Sequence, residues 1–213
     1  MSNDRLLDRL VSDLKPVRPR RPVREFAALP ALAAVELAVL VWLGRMRPDL
    51  HDALAMASFW WKLLAFGLLA TVATVVAVRS FHPARTPRPG LRVAAGIALA
   101  ALAAGWLIDA ARPGIGALVD RLDWRHGIPC VGEMIVCAVP ILLALGLQMR
   151  RGAPTDPRGT AVAVGLAGGA AGAFVFAFTC PYDDPLYIAV WYAAGMAAVA
   201  AAARLVLPAI TRW

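Results

Sequence analysis

The residues of this chain best suited to chemistry are three cysteines, Cys130, Cys137 and Cys180. A thiolate is a nucleophile and a soft-metal ligand, and two thiols can close a disulfide. Cys137 follows Cys130 by two helical turns, with Glu133 between them on the same face. Cys137 therefore reads as packing. His126 and Asp183 or Asp184 are the side chains that could add ligands for a soft-to-borderline metal, but no compact metal motif is present. From the residues alone three readings stand open for Cys130 and Cys180: a disulfide, a site for a metal or thiol-reactive ligand, or two inert thiols.

The elements that must position these thiols are membrane helices. The 213 residues are 60% hydrophobic and only 17% charged, with mean hydropathy +0.65. Soluble domains are usually about 45–50% apolar. A hydrocarbon core of roughly 30 Å takes about 20 apolar residues as helix, because lipid offers backbone amides no partners. Six runs qualify: Phe26–Leu43, Phe59–Val78, Leu91–Ala110, Ile128–Met149, Thr160–Phe178 and Leu186–Leu207. The predicted fold class is all-α, a polytopic six-helix bundle over residues 25–213 with a short N-terminal helix in residues 1–24. The first run follows an Arg-rich segment but lacks a small-residue cleavage site, so it is expected to be a span and not a cleaved signal.

Arginine and lysine orient the bundle. With the N-terminus inside, inner segments hold sixteen of these cations and outer segments hold five, Arg45, Arg47, Arg112, Arg121 and Arg125; Lys62 lies within a span. Both termini are thus expected in the cytoplasm, and the net charge of +8 is explained by topology without nucleic acid. Trp42, Trp60, Trp61, Trp106, Trp124 and Trp191 fall near the outer interface, where indole rings favour a belt. The fourth and fifth runs are joined by the short Arg150–Arg158 loop, so they should be antiparallel neighbours. Cys130 stands about 30 Å above Arg150, and Cys180 about 33 Å above Arg158, at 1.5 Å per residue. The two thiols are expected at similar depth near the outer surface, in a compartment that can oxidise them.

Three ionisable residues sit within spans, Glu36, Lys62 and Glu133. Charges there are costly and usually face the bundle interior. Lys62 and Glu133 share a depth and are expected to pair. Glu36, near mid-membrane, is read as a protonated, hydrogen-bonded structural residue. The fifth run carries two overlapping small-xxx-small pairs, Gly165/Gly169 and Gly168/Gly172, which permit close helix approach; packing inside the bundle is expected, not a dimer face.

Ahead of the spans, Leu6, Leu7, Leu10, Val11 and Leu14 recur at helical spacing among charges of both signs. Pro16 should end that helix near Leu14. A helix this short is marginal in water, so its apolar stripe calls for a partner: the bilayer, an inner loop, or a groove on another protein.

The chain resembles the NrsF-type membrane anti-sigma factors, six-span regulators of extracytoplasmic-function sigma factors. The resemblance is carried by the stretch from Leu6 to Pro16-Val-Arg, by the Arg151–Arg158 loop with the Gly/Ala helix after it, and by the outer segment from Cys180-Pro-Tyr-Asp-Asp-Pro to Trp191-Tyr192. The terminal Arg212-Trp213 also fits. The resemblance implies an inner-membrane protein that is not an enzyme. Leu6, Leu7, Leu10, Val11, Leu14 and Pro16 would hold the sigma factor, and Cys130 and Cys180 would sense metal or oxidative stress. It implies no resident cofactor, transient heavy-metal binding at the two outer cysteines at most, no direct nucleic-acid contact, and lipid and sigma factor as partners, with a homo-oligomer permitted. Readings from other classes are a membrane thiol oxidoreductase, for which no Cys-x-x-Cys pair is present, a small proton- or ion-coupled carrier resting on Glu36 and Glu133, and a structural scaffold.

Overall fold

A computed structural model describes residues 11–12, 22–109 and 121–211, with residues 22–25 as backbone only. Every element among the described residues is helical: α1 Pro22–Trp42, the short α2 Leu50–Ala53, α3 Ala57–Ser80, α4 Arg88–Asp109, α5 Trp124–Arg150, α6 Pro157–Phe176 and α7 Pro185–Ile210. Helices α3 to α7 are long and apolar enough to cross a membrane, and Phe26–Trp42 of α1 is a shorter apolar helix. Each expected run overlaps one helix, and five of those six helices have the length and apolarity to cross a membrane. The fifth ends at Phe176, before the expected Phe178.

The α6 helix is the axis of the bundle, packed against α3, α5 and α7. Asp156 caps it, its Oδ1 accepting from Gly159 N at 2.9 Å, and Pro157 opens it, where a missing N–H costs nothing. Its glycines face inward. A Cβ on Gly165 would sit 2.6 Å from Ala200 Cα, and one on Gly172 2.7 Å from Ala138 N. In lipid the helices gain little from hydrophobic burial, so such close contact supplies the attraction. The small-residue face is therefore internal packing, as expected.

At its C-terminal end α1 stops in a Schellman turn. Gly44 takes φ +64, Arg45 N bonds Leu40 O and Gly44 N bonds Val41 O. This reversal sends Arg45 back over α5 and Arg47 over the end of α6. Residues 1–10 and 13–21 lie outside the described residues, and with them Leu6, Leu7, Leu10, Leu14 and Pro16. Val11 and Ser12 are helical and exposed. Arg212 and Trp213 also lie outside.

Candidate functional site

Cys130 and Cys180 meet at the end of the bundle where α1 and α6 finish. Helix α5 begins at Trp124 behind Asp123, whose side chain accepts from Arg125 N, and Cys130 follows Pro129 on its second turn. Beyond Phe176 the chain keeps helical bonding long enough for Cys180 N to reach Phe176 O at 3.0 Å. That places Cys180 on the bundle side, 1% exposed, among Phe66, Met134, Phe176, Ile188 and Tyr192, with Cys130 and Cys137 packed against the same cluster. All three are free thiols. The Cys130 thiol beside it, with the nearby Lys62 charge, holds the Cys180 thiol below the ordinary thiol range although burial pushes it up.

Two tyrosines complete the pocket. Asp184 caps α7, accepting from Leu186 N at 2.8 Å and Tyr187 N at 3.2 Å. The helix then passes through a π-turn, Ile188–Tyr192. Residues five apart in an α-helix lie about 140° apart around the axis; the wider turn brings Tyr187 and Tyr192 to one buried side. Tyr187 lies beside Cys130 and Tyr192 beside Cys180, close enough to act on them electrostatically, although neither hydroxyl makes a hydrogen bond of ordinary geometry. Tyr192 stacks on Phe66 with ring centroids 5.0 Å apart.

Beneath the cysteine loop is a buried ion cluster. Lys62 of α3, 0% exposed, places Nζ 2.7 Å from Asp183 Oδ1 and donates to Tyr182 O at 3.2 Å. Arg47 contacts the other oxygen of Asp183 at 2.6 Å and forks onto Asp49 at 2.8 and 2.7 Å. Arg47 also donates to Pro181 O at 3.2 Å, and its backbone N to Phe178 O at 3.1 Å. Its hydrogen bond to Asp49 holds that carboxyl below the usual range. The loop carrying Cys180 is thus bolted to α3 by Lys62 and to the α1–α2 connection by Arg47. Asp184 turns the opposite way, to Arg121 at 2.8 and 2.9 Å, and Arg121 also holds Asp109 at the end of α4.

Several expectations are corrected here. Lys62 pairs with Asp183 and not with Glu133, whose carboxylate meets Arg45 at 3.1 Å on an exposed surface. The two side chains point to different neighbours. His126 does not join the thiols; its Nδ1 sits against Asp123, and no group of three or more His, Cys, Asp or Glu that could hold a metal occurs among the described residues. The two facing thiols remain a pair of soft donors. Trp42, Trp60, Trp106 and Trp124 are exposed. Trp61 and Trp191 instead turn inward, donating to Ala101 O and Leu122 O. Neither carboxylate oxygen of Glu36 has a hydrogen-bond partner among the described residues. With Glu133 paired, the carrier reading is left with Glu36. Arg47 and Arg121 carry no role in the sequence reading. The adjacent Asp183-Asp184 beside a cysteine was the available signal for them.

The family model described as NrsF, Negative regulator of sigma F, matches residues 10–213, nearly the whole chain. The chain belongs to the NrsF family. It is 33% identical over 204 residues to the anti-sigma-F factor NrsF of Caulobacter vibrioides, covering 93% of this chain and 94% of that protein. It is 31% identical over 189 residues to the probable anti-sigma-F factor NrsF of Azospira oryzae, covering 85% and 84%. No solved structure matches it. An NrsF-family chain has a regulatory role, negative control of a sigma factor, and here that role is built on a bundle of membrane-length helices.

Proposed function

We propose that this chain is a six-span inner-membrane anti-sigma factor, with both termini in the cytoplasm, that holds an extracytoplasmic-function sigma factor through its N-terminal segment. It releases that factor when Cys130 and Cys180 react with a thiol-directed stress. The observation that carries the sensing half is the apposition of these two thiols, one on α5 and one on the loop before α7, above a buried ion cluster. A soft divalent metal would displace both thiol protons and bridge the sulfurs. A two-electron oxidant would take two electrons and two protons and leave an S–S bond. Either change ties α5 to the cysteine loop. That loop is anchored through Arg47 to the outer end of α1, and α1 leads back to the N-terminal segment on the opposite side. A shift of α1 would then change how Leu6, Leu7, Leu10, Val11 and Leu14 are presented. A complete switch from 1:99 to 99:1 needs about 5.5 kcal/mol of differential binding, a scale that thiolate–metal bonds reach.

The test has two arms. Membranes carrying the full chain should retain the sigma factor, and a chain lacking Met1–Leu14 should not. In cells, Cys130→Ser with Cys180→Ser should keep the sigma factor silent under cadmium or peroxide. A normal response from the double variant would sink the sensing half. Retention by the truncated chain would sink the N-terminal half.

A further inference from the structure

The bundle has a cavity at the end opposite the thiols. It lies between the first turn of α6 and the last turns of α7, has a volume of about 330 Å³, and is lined by Arg158, Arg204, Leu205, Pro208 and Ala209. Its two guanidinium groups come from different helices, and among the described residues neither has an ion-pair partner. Asp156, two residues before Arg158, is already engaged by Gly159 N and by Arg88 at 3.6 Å. Arg204 lies within the membrane-length helix α7, six residues before Ile210, roughly 9 Å along the axis at 1.5 Å per residue. An arginine at that depth must reach toward the polar boundary or meet an anion there. The rest of the wall is apolar: Leu205 is 77% exposed on the outside of the bundle, and Pro208 and Ala209 continue the surface.

We propose that this cavity binds the phosphate headgroup of an anionic phospholipid, with Arg158 and Arg204 on the phosphate and an acyl chain lying along Leu205. A soluble anion would gain nothing from the apolar wall, and a zwitterionic lipid would bring its own cation to a site that already has two. A lipid of net negative charge meets both halves of the cavity. Basic pockets between spanning helices are suited to such headgroups. The site itself follows from Arg158, Arg204 and the cavity; its assignment to the cytoplasmic leaflet rests on the topology proposed above.

The experiment is lipid retention by the purified full chain in detergent, read by native mass spectrometry with phosphatidylglycerol and phosphatidylcholine offered in equal amounts. One phosphatidylglycerol per chain should be kept, with a preference of roughly thirtyfold, the strength of two arginines near anionic lipid. Arg158→Gln with Arg204→Gln should abolish the preference. Arg150→Gln with Arg151→Gln, an equal charge change at the neighbouring end of α5, should preserve it. Inorganic phosphate at constant ionic strength should not raise the thermal midpoint, whereas phosphatidylglycerol should. Equal retention of the two lipids by the unaltered chain overturns the proposal whatever the variants do. So does an equal loss of preference in the control pair, or equal stabilisation by inorganic phosphate. Sigma-factor retention and the cysteine response are read separately, so failure here leaves the proposed function standing.

Discussion

Lys62 Nζ and Asp183 Oδ1 are 2.7 Å apart, and the lysine that makes this contact has no exposed surface. The contact joins the middle of the chain to the loop that carries Cys180, across 121 residues. A buried ammonium survives only when its partner stays in place, so this pair fixes the loop against α3.

Removing the carboxylate should therefore cost more than removing the lysine. Asp183→Asn leaves Lys62 with the Tyr182 carbonyl and no carboxylate, and Arg47 with Asp49 as its remaining carboxylate; breaking a buried pair costs about 3–5 kcal/mol. Lys62→Met leaves Asp183 still held by Arg47 at 2.6 Å. Thermal unfolding in detergent should rank Asp183→Asn well below Lys62→Met, and the reverse ranking would show that Arg47 does not anchor the loop.

The thiol pair makes a second expectation. Cys130 is the main influence holding Cys180 below an ordinary thiol. A donor to the thiolate stabilises the charged form, so losing it must raise the pKa. In a Cys137→Ala background, the pH profile for methylthiolation of Cys180 should move to higher pH when Cys130 becomes Ala. An unmoved profile would mean that the two thiols do not communicate.

Close packing of α6 can be tested by adding single methyl groups. Gly172→Ala would press a Cβ onto the backbone of Ala138, whereas a Cβ at Gly132 of α5 meets nothing within 4 Å. Gly172→Ala should destabilise by about 1–3 kcal/mol, as overpacking does. Gly132→Ala should be neutral or stabilising by about 0.5–1 kcal/mol through helix propensity. Thermal midpoints of the two variants decide it.

Acid should loosen the thiol end of the bundle at one identifiable link. Burial pushes Asp184 up, but hydrogen bonds from Arg121 and from Leu186 and Tyr187 N outweigh it, and the group sits below the usual carboxylate value. A depressed folded pKa contributes stability that is complete above the unfolded value, about 3.9, and is lost as pH falls through the folded value. The Asp184–Arg121 link should thus be indifferent to pH between 7 and roughly 5, and fail below about 4. The protection of Leu186 and Tyr187 N against hydrogen exchange, taken relative to the intrinsic exchange rate at each pH, should fall only in that acid window. In Asp184→Asn, the protection of these two amides relative to the intrinsic rate should be insensitive to acid.

The spans were legible in the sequence because a membrane helix must be long, apolar and closed in its own hydrogen bonds. Those demands are written in runs such as Ala57–Ser80 and Trp124–Arg150. The depth of Cys130 and Cys180 was legible for the same reason, since residue count times helical rise measures height. The inward turn of the α6 glycines also followed from their spacing. Rotation about each axis was not legible. Lys62 and Glu133, expected at one height, pair with Asp183 and Arg45 and not with each other, because Gly44 reverses the chain and lays Arg45 over α5 while Arg47 goes under the cysteine loop. Asp183 and Asp184 are neighbours in sequence and face opposite clusters. Height is a one-dimensional property that a chain declares by counting; which face meets which neighbour is set jointly by all the packed helices, and only the assembled bundle decides it.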